Sequence, residues 1–180
     1  KEILQKAEEQ IKITQELLRK EYFTGIIKGI YSSKQIRQEE LKNIGVNLNL
    51  ERPVLLLIGK IDDIPKGDSY TRRTKILYSV KLLTEQYLPP DIIYTQFIDE
   101  DSNLVWVIQP SDGQIRKSTN EIWHNIIKYI KGSLELVQAS SNETVGVSVS
   151  FVLDDDYVEW GEIPDRYELI KMFLNYRLGT

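Results

Sequence analysis

From Lys1 to about Ser32 the chain carries Leu4, Ile11 and Leu18 at seven-residue intervals, with Ala7 and Thr14 in the slots between them. Apolar residues at this spacing form the seam of a coiled coil, so the segment predicts a helical arm able to pair with another helix. The same spacing also serves an amphipathic helix folded onto its own domain. Only Gly25 and Gly29 interrupt the helical pattern. The stretch "SSKQIRQEELKNIGVNL" then predicts a second short helix, capped by Ser32 or Ser33, closed by Gly45 and packed beside a sheet.

After Pro53 the run "VLLLIGKI" is apolar throughout and too short for an ordinary helix, which predicts a central strand covered on both faces. Ile76, Val80, Leu83 and Tyr87 share one face of a helix from about Tyr70 to Tyr87, ended by Pro89 and Pro90. "DIIYTQFIDEDSNLVWVIQP" reads as two β-rich runs joined by the polar turn "DEDSN", a hairpin. A helix from Ser118 to about Lys131 turns Ile122, Ile126, Ile127 and Ile130 inward, and the loop "QASSNET" leads to a strand with Val145, Val147, Val149 and Phe151 on one face. The last helix has Pro164 in its first turn, Gly179 beyond its end, and a core stripe of Ile163, Tyr167, Ile170 and Leu174.

The predicted order is thus arm, strand, helix, hairpin, helix, strand, helix. It implies an α/β fold whose mixed sheet combines parallel and antiparallel neighbours, because the hairpin breaks the strand-helix alternation. Residues 1–50 form the helical arm with its short helix, and 51–180 the α/β domain.

Composition narrows what such a domain does. With 180 residues, 41% hydrophobic and 28% charged, the chain is long enough for one core plus an extension. A formal charge of -4 offers no broad basic field for a phosphate backbone, which disfavours direct nucleic-acid binding by this segment. The absence of cysteine removes disulfides, thiolate metal sites and a cysteine nucleophile, and suits a cytoplasmic location. No apolar run approaches a bilayer span and no signal-peptide pattern opens the chain, so no membrane partner is expected. Starting on Lys1 within a helical pattern, the sequence is expected to be a piece of a longer protein, which makes the glycosylation match Asn142-Glu143-Thr144 incidental.

Few residues carry candidate chemistry. Asp62 and Asp63 follow the first strand and could ligate a metal, although a solvated strand-end turn needs the same residues. Asp99, Asp101 and Asn103 mimic the start of a calcium loop, but Leu104 replaces its glycine and Pro110 its bidentate glutamate. Asp154, Asp155 and Asp156 read as a charged loop. His124 is the single histidine and falls on the solvent side of its helix, without a partner for catalysis. Arg72, Arg73 and Lys75 make a small basic cluster on an exposed helix face, and Trp106, Trp123 and Trp160 suit aromatic core packing better than a ligand pocket.

Three stretches resemble a known family. "VLLLIGKIDDI", the hairpin "DIIYTQFIDEDSNLVWVIQP" and "VSVSFVLDDDYVEWGEIPDRYELIKMFLNYRLG" are similar to a degenerate version of the GGDEF fold of diguanylate cyclases. The third stretch, through Trp160, Glu162, Ile163, Pro164, Tyr167, Asn175, Tyr176, Arg177, Leu178 and Gly179, resembles the middle domain of YesN-type response regulators of the AraC family. Leu17, Leu18 and Arg19 resemble the helix that precedes that domain.

The resemblance implies a non-catalytic regulatory and dimerisation module, a homodimer seamed through Leu4, Ala7, Ile11, Thr14 and Leu18. It lies between a receiver and a helix-turn-helix domain of the same parent chain, so DNA is contacted only through that other domain. In the active cyclases a strand-end carboxylate holds the metal and two turn glycines admit the nucleotide. Here Lys60 stands at the ligand position and the turn has no glycine, so neither cofactor nor catalytic residue is implied. The competing expectation is a nucleotide- or small-molecule-sensing domain that uses the former cyclase cleft.

Overall fold

The computed structural model describes residues 1–62, 64, 67, 69–111 and 119–178. Its elements are α1 (Glu2–Ile27), α2 (Gln38–Asn43), β1 (Leu55–Ile61), α3 (Tyr70–Tyr87), β2 (Ile92–Ile98), β3 (Leu104–Pro110), α4 (Thr119–Thr144), β4 (Val149–Leu153) and α5 (Ile163–Leu178). The predicted α/β class holds, with helices on both faces of a four-stranded sheet ordered β2-β3-β1-β4.

The mixed sheet expected from the element order is not what forms, since every neighbouring pair is antiparallel. β1 and β2 do run the same way, as a strand-helix-strand unit requires, but β3 is inserted between them. This split βαβ arrangement turns a parallel crossover into two antiparallel ladders.

Both sheet faces are covered, and residue parity on the inner strands divides the interior into two cores. Leu55, Leu57, Leu104, Trp106 and Ile108 face α3 and α4, while Val54, Leu56, Ile58, Val105 and Val107 face α5, α2 and the end of α1. This two-sided burial is why β1 and β3 read as unbroken apolar runs. Gly59 sits opposite Phe151 on β4, and a Cβ there would stand 2.7 Å from that ring, so the residue lets the ring lie across the sheet.

Several boundaries differ from the sequence reading. α4 runs on through the segment read as the loop "QASSNET", because Leu134, Val137 and Ser141 continue its buried face past Gly132. Ser32 and Ser33 do not cap α2, which begins at Gln38; the Ser32 N–H instead donates to Gln35 Oε1 in a turn. α3 buries Leu77, Val80 and Thr84, so its inward stripe is rotated from the predicted one and Ile76, Leu83 and Tyr87 are half-buried at its margin. α5 turns Ile163, Tyr167, Ile170 and Leu174 inward as predicted. Gly179, read as its C-terminal cap, lies outside the described residues, as does Ser118.

α1 divides into two parts. Its final turn is rooted in the core, with Phe23, Ile26 and Ile27 buried and the Phe23 ring 5.6 Å from that of Phe97. Gly29, at φ +72°, closes the helix in a left-handed conformation that glycine adopts without steric cost. Every residue from Lys1 to Thr14 is exposed.

Leu174, fully buried between α5 and the sheet, is expected to cost about 2–5 kcal/mol when cut to alanine, as large-to-small core substitutions do. His124→Ala, on an exposed position, is expected to stay within about 0.5 kcal/mol of the parent. Urea denaturation of the two variants measures the contrast.

Candidate functional site

The antiparallel register brings Lys60 and three of the candidate carboxylates to one end of the sheet. Gly59 pairs with Leu104 and Ile61 with Val149, so the end of β1, the hairpin turn from Asp99 to Asn103 and the start of β4 lie together. The second half of α5 and the end of α1 flank them. This is where Lys60, Asp62, Asp99 and Asp101 are found.

The turn resembling a calcium loop is committed to the fold. Asp99 is buried, and its Oδ1 accepts the backbone N–H groups of Asp101 and Asn103 at 2.9 and 2.8 Å. Its Oδ2 accepts Nδ2 of Asn103 and a short hydrogen bond from the Tyr167 hydroxyl of α5. Burial and this anionic acceptor together raise the Tyr167 pKa well above its ordinary value, so the phenol stays protonated and donating. Ser102 adopts φ 63° to make the turn.

The other two acids in the turn are paired. Asp101 meets Lys171 at 2.5 Å, which raises the lysine pKa, and Glu100 meets Lys28 at the end of α1 at 2.6 Å. Because both Glu100 and Lys28 are exposed, that second pair is a positional tie more than a source of stability. The turn is therefore joined to α5 by two contacts and to α1 by one.

Lys60 lies on the α5 face of β1, half-buried, with Nζ 3.5 Å from Asn175 Oδ1. Asp62 receives the Ser150 hydroxyl at both carboxylate oxygens, 3.0 and 2.9 Å away, which fastens the end of β1 to β4. Asp63, the second metal candidate, lies outside the described residues. Among the described residues no group of three or more acidic, histidine or cysteine side chains is placed to hold a metal ion.

The remaining candidates are scattered. Asp154 is at the opposite end of the sheet, buried, with Oδ1 3.2 Å from Arg166 Nη1 and, among the described residues, no hydrogen bond to Oδ2. Burial outweighs the arginine and pushes its pKa up to about 6. Asp155 is exposed beside it. Together with Asp156 it edges an open cleft with His124, Lys128 and Trp123. Arg72 and Lys75 line another open cleft between α3 and the end of α4, floored by Ile76 and Leu83. Trp106, Trp123 and Trp160 are buried in the two cores, as predicted. Trp160 also donates from Nε1 to the Arg52 carbonyl at 2.9 Å, and so holds the approach to β1.

The arm presents the seam. Leu4, Ile11 and Leu18 are 70%, 56% and 42% exposed, and Ile3, Ile13 and Leu17 add to the apolar surface beside them. Ala7 and Thr14 are exposed in the same row. Contacts among the described residues bury none of these positions. Sequence reasoning missed a second exposed row on α5, made by Leu169, Met172, Phe173 and Tyr176, although its helical spacing is legible in the sequence.

No family model matches the chain, and no curated protein or solved structure matches it significantly.

Two expectations follow from this geometry. Asp154 titrates at about 6 when folded against an ordinary 3.8, so between these pH values the folded state binds the extra proton. Its contribution to stability is therefore greatest below about pH 4, declines as pH rises from about 4 to 6 and is level above that, a change on the order of 3 kcal/mol. Comparing denaturation of the parent and Asp154→Asn across that window isolates the effect, which the variant should lack. Tyr167→Phe, which removes a donor from the buried Asp99 carboxylate, is expected to cost about 1–3 kcal/mol in the same measurement.

Proposed function

We propose that this chain is a non-catalytic regulatory and dimerisation module of a two-component transcriptional regulator. In this reading it passes a signal from a receiver domain to a DNA-binding domain through pairing of its α1 arm with that of a second copy. The observation that carries the reading is the division of α1 into an exposed seam and a buried root within one continuous helix. An arm of this kind is a lever. A turn or shift imposed on the paired seam reaches Phe23, Ile26 and Ile27, which pack with Phe97, Trp160 and the buried stripe of α5. It also reaches the hairpin turn through Lys28 and Glu100. Cores are close-packed and respond to displacement by switching between discrete arrangements, which suits signal transfer.

The hairpin turn beside the end of β1, followed by β4 and α5, supports a degenerate GGDEF-like fold as the ancestry of the module. The engagement of Asp62, Asp99 and Asp101 by Ser150, Tyr167 and Lys171, with Lys60 at the strand end, supports the loss of metal chemistry there. Cytoplasmic location accords with this role, and no helix among the described residues is long and apolar enough to cross a membrane.

The pair Leu4→Lys and Ile11→Lys is expected to weaken arm pairing while leaving the thermal melt of the globular part unchanged, because a charged seam resists desolvation. In the parent regulator the same pair should abolish phosphorylation-dependent activation of a reporter. A reading frame without receiver and helix-turn-helix domains overturns the assignment.

The purified chain is also expected to form no cyclic dinucleotide from GTP with Mg²⁺ or Mn²⁺. Product above a protein-free blank refutes the non-catalytic reading. A nucleotide that raises the melting temperature favours ligand sensing in its place.

A further inference from the structure

Helix α5 carries two apolar rows. Ile163, Tyr167, Ile170 and Leu174 are buried against the sheet. On the outer side Leu169, Met172, Phe173 and Tyr176 are 43%, 65%, 55% and 76% exposed. Their i, i+3, i+4, i+7 spacing is that of a face laid along another helix. Isolated exposed apolar residues need no explanation, but two consecutive turns of them on a well-formed helix do.

We propose that this row is a second self-association surface, on which α5 of a second copy lies antiparallel about a two-fold axis passing near Met172 and Phe173. The four side chains leave roughly 500 Å² exposed, so two copies face to face remove at most about 1,000 Å² from water, the lower end of the range for a biological interface.

Charge sets the direction. Glu159, Glu162, Asp165 and Glu168 are all exposed just before and in the first half of α5. A parallel pair sets each of these carboxylates beside its own copy. An antiparallel pair about this axis keeps the two acidic ends apart. The surface belongs to a different element from the α1 seam, so it does not rest on the regulatory reading.

The chain has no cysteine, so single cysteines report this contact without background. Phe173→Cys, next to the two-fold axis, is expected to cross-link into a dimer under mild oxidation, while Asp165→Cys remains monomeric on the same gel. In parallel, the Leu4→Lys and Ile11→Lys variant is expected to remain dimeric by sedimentation velocity at high concentration. Adding Met172→Lys and Phe173→Lys should make it monomeric with an unchanged circular dichroism spectrum, and Tyr176→Lys serves if that pair perturbs folding. Cross-linking of both cysteine variants would overturn the antiparallel arrangement. A monomeric α1 variant, together with a Phe173→Cys chain that does not cross-link, would overturn self-association altogether and leave the face to a different protein.

Discussion

The sheet is covered on both faces, and most of the molecule follows from that constraint. An inner strand with helices above and below it has no solvated side, so β1 and β3 must supply apolar side chains at successive positions. Leu55 to Ile58 and Leu104 to Ile108 do so. The one buried polar side chain within β3, Gln109, is used in full by the loop before β1. It accepts from the Asn49 N–H and donates to the carbonyls of Asn49 and Arg52. Charge is displaced to the ends of the strands and the outer faces of the helices. That displacement explains why Lys60, Asp62 and the acidic turn cluster at one end of the sheet without, among the described residues, forming a ligand set.

The acidic turn is a joint. Asp99 organises it internally, taking two backbone N–H groups on one oxygen, and the other oxygen ties it to Tyr167. Lys171 and Lys28 bring α5 and α1 to the neighbouring carboxylates. A calcium loop needs Asp99 and Asp101 free to converge on an ion; here both are engaged by side chains of α5, while Glu100 turns to the end of α1. The chemistry that looks like metal binding along the chain is spent on positioning three elements relative to one another. The joint also gives α1 a route to the helix that closes the domain.

Among the described residues, apolar side chains stand exposed in consecutive rows on the arm and on the outer face of α5, and singly elsewhere, as at Leu82 on α3 and Leu136 on α4. A helix with an uncovered apolar face is stable in isolation only if other contacts hold it. α1 is held by its buried root and α5 by its buried stripe. The exposed rows are thus available for association without being needed for folding.

The elements legible in the sequence were those whose pattern is set locally. The seven-residue spacing of the arm, the hairpin around "DEDSN", the two-sided strands β1 and β3, and the inward stripe of α5 all follow from which side of a helix or strand must be apolar, and the structure places them accordingly. Pro164 in the first turn of α5 marks a helix start that needs no long-range contact. Tertiary contacts decided the rest. The extension of α4 past Gly132 depends on Leu134 and Val137 finding the sheet, which propensity does not report, and the rotation of the α3 stripe depends on where α4 lies beside it. The insertion of β3 between β1 and β2 is a choice among strand orders that local patterning leaves equal. The fate of the carboxylates was decided in the same way. Asp99 and Tyr167 are 68 residues apart. Whether such an acid binds a metal or braces a helix depends on which side chain the fold brings to it, because an electrostatic partner is chosen by distance in space and not along the chain.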